Sequence, residues 1–219
     1  MAWRTNHFFD QLAFLGGKTY RQLNDITLAL GDGSTTQIDH LIISRYGIFV
    51  IETKNMSGWI FGSEKNAQWT QCFPNGKKFR FQNPIRQNYR HLCAIIEFLN
   101  ASMPELDLSL SDIESKLFSI VFFGPDAEIK TPDELPDGVN IGPLRYVKSK
   151  QSQFFSDDQV DQMVEVIRNG KLPNGLISGV STRKRHICEG SRPQLSRDPR
   201  ATWERQATRF ISQFLISFF

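Results

Sequence analysis

Apolar and polar positions change their spacing several times along this 219-residue chain, and each change marks an element. Phe8, Leu12 and Leu15 recur at helical intervals and stop at Gly16-Gly17, which predicts a short amphipathic helix over about residues 6–15. Ile26 to Leu30 alternates as a strand, and Gly31-Asp32-Gly33-Ser34 then marks a turn. Gln37–Ser44 and Gly47–Lys54 are β-branched runs that meet at Arg45-Tyr46, and Trp59-Ile60-Phe61 continues the pattern, so adjacent antiparallel strands are expected. After Asn83-Pro84 the period becomes helical, with Ile85, Tyr89, Leu92, Ile95, Ile96 and Leu99 on one stripe through about residue 100. Leu117–Phe123 is apolar throughout and reads as a central strand buried on both faces. Leu144–Val147 reads as a last strand, and Ser156–Arg168 as a helix capped by Ser156-Asp157-Asp158-Gln159.

Alternating strand and helix patterns predict a mixed α/β fold, with a domain over residues 1–170 and a linker and tail over 171–219. A composition of 40% hydrophobic and 22% charged residues excludes disorder along the whole length. Apolar runs fall far short of the roughly 20 residues that span a bilayer. The first thirty residues are interrupted by Gln11, Lys18 and Arg21, so no secretory signal is expected. Cys72, Cys93 and Cys188 are widely spaced and odd in number, with no CxxC pair, which fits a reducing cytoplasmic compartment. The net charge of +3 is unevenly spread: residues 181–219 carry eight Lys or Arg against three acids, so the rest is slightly acidic. That tail ends in the apolar run Phe210–Phe219.

The candidate chemistry lies in Glu-x-Lys. Residues two apart on a strand share a face, so the pattern sets a carboxylate beside an ammonium. By chance the tripeptide arises about once in 300 positions, yet it occurs here at Glu52-Thr53-Lys54, Glu114-Ser115-Lys116 and Glu128-Ile129-Lys130. Context separates them. The second and third lie in polar, loop-rich surroundings and read as solvated, whereas Glu52 follows the apolar strand Ile48–Ile51. A two-residue turn at Arg45-Tyr46 pairs Ser44 with Gly47 and places Asp39 opposite Glu52, with Cβ atoms about 5 Å apart. A three-residue loop with Gly47 left-handed would shift that register by one. Two opposed carboxylates in apolar surroundings repel unless a cation joins them. Magnesium or manganese suits such hard oxygen ligands, with the Thr53 carbonyl as a further donor and Lys54 placed to stabilise charge on a phosphodiester.

The ordered run Thr36–Ser44, Gly47–Lys54, Gly58, Trp69 and Asn83-Pro84-Ile85-Arg86-Gln87-Asn88 resembles the NERD, or nuclease-related domain, family. The resemblance covers roughly residues 10–100, more weakly 101–170, and implies a restriction-endonuclease-like fold: a mixed central β-sheet flanked by helices, with a PD-(D/E)xK site. It also implies Asp39 and Glu52 as metal ligands, Lys54 as catalytic lysine, and Gln87 facing the site. Relatives carry a Glu on the first helix; this chain has none before Glu52, and Asp10 is the nearest acid. Relatives often append a four-cysteine zinc finger, but here the tail offers His186 and Cys188 and no further cysteine.

His91 lies one turn beyond Gln87 and reads as a satisfied structural histidine. Gln68–Gln71 and Lys77-Lys78-Phe79-Arg80-Phe81 interleave aromatic and basic residues, either as a strand-binding track with Lys77, Lys78 and Arg80 on phosphates or as a hairpin with one buried and one solvated face. Taken together, the expectation is a bacterial, cytoplasmic, Mg²⁺- or Mn²⁺-dependent nuclease acting on DNA, with RNA left open, without strong sequence specificity and in DNA processing or repair. The alternative is an inactive nucleic-acid-binding module of the same fold.

Overall fold

A computed structural model describes residues 19–31, 33–139 and 142–173. In chain order its elements are strands β1 (Tyr20–Ala29), β2 (Thr35–Ser44), β3 (Gly47–Lys54), β4 (Gly58–Phe61), β5 (Gln68–Cys72) and β6 (Lys78–Gln82), helix α1 (Pro84–Ser102), strands β7 (Leu117–Phe123) and β8 (Ala127–Ile129), and helices α2 (Pro143–Ser149) and α3 (Asp157–Gly170). Two sheets form, ordered β1-β2-β3-β7 and β6-β5-β4-β8. The fold is α/β: β1, β2 and β3 make an antiparallel meander, and β7 returns parallel to β3 after a crossover containing α1.

The turn at Arg45-Tyr46 has two residues, and Ser44 pairs with Gly47. Gly47 adopts φ 140°, and a Cβ there would lie 2.6 Å from the Lys116 carbonyl oxygen, so both backbone and space require glycine. From that register Leu41, Ile43, Ile48 and Val50 pack with Leu92, Ile95 and Leu99 of α1 and with Val160, Met163 and Ile167 of α3. Ile42, Phe49 and Ile51 point the other way, against Phe118, Ile120 and the α2 residues Tyr146 and Val147. Helices cover both faces, which is why β2 and β3 read as nearly continuous apolar runs.

Helix α1 starts where Asn83 can cap it. Its Oδ1 accepts from the Ile85 N–H at 2.9 Å, and its Nδ2 donates to the carbonyls of Ser63, Glu64 and Asn66 in the loop after β4. One turn on, the fully buried Asn88 donates to the carbonyls of Val50 and Ile120 and to Ser119 Oγ, tying α1 across β3 and β7. α3 begins with the expected capping box between Ser156 and Gln159.

Three expectations change. β7 is buried on both faces, as its composition implies, but it ends its sheet; beyond it the described residues add two isolated bridges, Ile113 to Leu117 and Val121 to Val139. Packing against helices and loop, rather than strands on either side, accounts for its apolar run. Leu144–Val147 belongs to helix α2, with Pro143 in the first turn; four apolar-rich residues are too few to separate the two periods. Trp59–Phe61 leaves the meander and joins the second sheet, through Gly58 at φ 79°. The helix expected over residues 6–15, Asp10 and the tail beyond residue 173 lie outside the described residues. Among the described residues, no helix is long and apolar enough to cross a membrane.

Candidate functional site

The last residues of β3 present Glu52 and Lys54 on the face toward α1, as a two-residue spacing requires. Glu52 is only 3% exposed. Its Oε1 accepts from Lys54 Nζ at 2.5 Å and from Gln87 Nε2 at 2.7 Å, while Gln87 Oε1 accepts from the same ammonium at 2.9 Å. A closed triangle of carboxylate, ammonium and amide results, with α1 supplying the amide. On the other side of the carboxylate, His91 Nε2 stands 3.4 Å from Glu52 Oε2. Both atoms are buried and face each other as a long ion-pair contact, while His91 Nδ1 lies 2.7 Å from Thr36 Oγ1 on β2. Burial pushes the Glu52 carboxyl upward, but His91 and Lys54 outweigh it and hold it below the ordinary carboxylate range. Glu52 is therefore an anion at neutral pH, and acid must protonate it below its usual range to remove that charge.

Asp39 sits where two strands part. The β2–β3 ladder runs from Ser44–Gly47 to His40–Ile51 and ends one pair before Asp39 would face Glu52. Instead Asp39 Oδ2 accepts from the Thr53 N–H at 2.9 Å and from Thr53 Oγ1 at 2.8 Å, taking the donor that the ladder would otherwise use. Inward-facing positions change phase here as well, since Leu41 and Ile43 share their core with Ile38, and Leu23 shares it with Ile26 and Leu28. Asp25, the β1 residue at this level, has φ 51°. His40 is buried beside it, with Nδ1 2.9 Å from Asn24 Oδ1, and burial lowers its pKa against the pull of Asp39, Asp25 and Glu52.

The fork thus holds the buried Glu52 carboxylate and the half-buried Asp39 carboxylate, the latter against the N–H and hydroxyl of Thr53, and the expected pairing of Asp39 directly opposite Glu52 does not form because the ladder stops one pair short. Among the described residues no three His, Cys, Asp or Glu side chains group closely enough to hold a metal by themselves. A cation bound by this pair would complete its shell from backbone oxygen and water, a habit of magnesium.

Lys77, Lys78 and Arg80 lie on the β5–β6 hairpin and are exposed. Of the two other Glu-x-Lys copies, Glu128 pairs with Lys130 and Lys116 with Asp112 at 2.8 Å, while Glu114, expected to be solvated, accepts from the Tyr146 hydroxyl at 3.3 Å and has its carboxyl pushed up by burial. Asn83, Asn88 and His91 do more than their residue types announce. The signal for His91 is its place four residues after Gln87 on one helical face, where Glu52 also stands; its two ring nitrogens face Thr36 and the Glu52 carboxylate.

Among known families, the model for the nuclease-related domain matches residues 2–124, more than half of the chain. An uncharacterised Bacillus anthracis protein, pXO1-01, is 46% identical over 98 residues, a stretch covering 45% of this chain and 46% of that protein. The chain thus spans about half the length of the curated relative it matches. No solved structure matches.

Proposed function

The chain belongs to the nuclease-related domain family, and from that premise we propose that it is a divalent-metal-dependent deoxyribonuclease of the PD-(D/E)xK kind, working in a bacterial cytoplasm in DNA processing or repair. One observation carries the reading: a buried Glu52 carboxylate shared by Lys54, Gln87 and His91, at the fork where Asp39 meets Thr53. A structural ion pair does not need this arrangement, because burying charge without a task is costly.

Glu52, Asp39 and the Thr53 carbonyl would hold Mg²⁺ or Mn²⁺. The buried Glu52 carboxylate, whose Oε2 meets His91 only at 3.4 Å, and the all-oxygen donor set fit such an ion. When bound, the metal lowers the pKa of a coordinated water and polarises phosphorus. The chain's own residues perform the rest. Lys54, one-fifth exposed, places a cation where the attacking water and the charged phosphate oxygens meet, and stabilises the charge that develops as one P–O bond forms and the other breaks. Gln87 holds carboxylate and ammonium in register, so Lys54 is oriented before substrate arrives. His91 braces the second carboxylate oxygen from α1.

A second reading, a binding module of the same fold without turnover, rests on the lack of any Glu before Glu52. One experiment separates the two. Supercoiled plasmid is incubated with Mg²⁺ or Mn²⁺ and wild type, Glu52→Gln or Lys54→Met, and nicked and linear products are resolved on a gel. Product with wild type, and at least about 100-fold less with either variant, supports the nuclease. DNA retained in a gel shift with no product in any lane supports the binding module.

A further inference from the structure

The second sheet has two faces of opposite character. Its inner face carries Ile60, Trp69 and Phe81, packed with Ile85, Val121 and Phe123. On the outer face the register aligns Trp59 with Cys72 and Lys78, and Phe61 with Thr70 and Arg80. The interleaved pattern Lys78-Phe79-Arg80-Phe81 therefore divides. Its cations go outward, while Phe81 turns inward against Trp69 at 6.3 Å between ring centroids. Aromatic neighbours for those cations come from another strand: Trp59 and Phe61 of β4, each 39% exposed although the residue between them, Ile60, is fully buried.

Two exposed rings two residues apart on a strand stand about 6.6 Å apart. Lys78 and Arg80 lie across β5 from them, two strands or about 10 Å away, and Lys130 lies on the other side, its Nζ 5.6 Å from the Trp59 ring centroid. The acid on this face, Glu128, is already paired with Lys130. A shallow cleft of about 530 Å³, lined by Asn66, Ala67, Gln68, Thr70 and Arg80, opens beside the rings. The face is thus net positive, aromatic and open.

We propose that the outer face of the second sheet is a stacking platform for single-stranded DNA, with Trp59 and Phe61 against bases and Lys78 and Arg80 on phosphates. Rings that present a flat face take any base, and these cations follow the backbone, so the platform accepts an unpaired strand without reading its sequence. A duplex keeps its bases stacked inside and offers these rings nothing. The proposal rests on the nuclease reading in that it names the form in which the substrate is presented.

Binding is measured by fluorescence anisotropy with the full chain in EDTA, so that no cleavage intervenes. The probes are a fluorescein-labelled oligothymidine and a duplex of equal length, each titrated over a range of salt. Wild type binds the single strand more tightly than the duplex. Trp59→Thr with Phe61→Thr weakens single-strand binding by at least about fivefold per ring, and Tyr at both positions restores most of the loss. Lys78→Gln with Arg80→Gln reduces the slope of log K against log salt by about 1.4, two phosphate contacts at roughly 0.7 each. The platform is overturned if the duplex binds as tightly as the single strand, or if the Thr pair leaves oligothymidine binding unchanged. Cleavage by wild type but not Glu52→Gln, together with either of those results, would sink the platform and leave the nuclease standing. Normal platform binding with no cleavage would do the reverse.

Discussion

Glu52 is held from three directions, and each direction is a separate side chain whose removal has its own consequence. His91 is the one that does not touch Lys54, so replacing it should alter how the carboxylate is held while leaving the ammonium in place. His91→Gln is expected to raise the Mg²⁺ concentration for half-maximal cleavage by about 10- to 100-fold, the range typical of residues that orient a metal ligand; a metal titration of plasmid nicking checks it, and an unchanged midpoint would remove His91 from the site. A second residue-scale prediction concerns Cys93, also on α1. Burial pushes its thiol up to about 11 from the ordinary value of 9.0, with the neighbouring Tyr89 hydroxyl raised as well. A folded value above the unfolded one means that the stabilising protonated thiol is fully present below pH 9 and is lost as pH climbs toward 11. Only about one thiol in a thousand is then ionised at pH 8. Alkylation of Cys93 by iodoacetamide, followed by peptide mass spectrometry, should rise steadily to about pH 11; a plateau below pH 9 would contradict it.

At the scale of elements, α1 is the part that assembles the site, because it brings Gln87 and His91 to Glu52 and is anchored at both Asn83 and Asn88. Asn83→Ala removes the helix cap and also the donor serving three carbonyls in the loop after β4. About 1 kcal/mol is expected for the cap and about 1 kcal/mol or more for the buried carbonyls, so about 2 kcal/mol or more in urea unfolding. Asn83→Ser returns the cap oxygen but not the amide, and should recover only about half. Much of α1 was legible in advance: the stripe from Ile85 to Leu99 and the Asn-Pro start place it within two residues. The helix at 143–149 was not, because a single turn of apolar residues carries no period. Nor was the edge position of β7, since a strand buried by helices and one buried between strands have the same composition.

For the molecule as a whole, one sheet packed between α1 and α3 on one face and α2 on the other carries the candidate site at the end of β3, and a second sheet branches off immediately after Lys54. What the chain determined by itself is local. The shared face of Glu52 and Lys54 and the helical face common to Gln87 and His91 follow from periods of 2 and 3.6, which depend only on neighbours along the backbone, whereas the turn at Arg45-Tyr46 admits two or three residues by sequence and the Ser44–Gly47 pair decided it. The ordered motifs that resemble the nuclease-related domain are likewise legible without coordinates. Tertiary structure alone decided where those faces meet. Asp39 turned to Thr53 because the strands diverge one pair early, and His91 met Glu52 because Asn88 ties α1 down across β3 and β7. Trp59 and Phe61 came to share a face with Lys78 and Arg80 because β5 pairs with both of their strands. Such encounters join segments tens of residues apart, and they are set by strand twist, ladder length and packing against buried side chains, none of which leaves a period in the sequence.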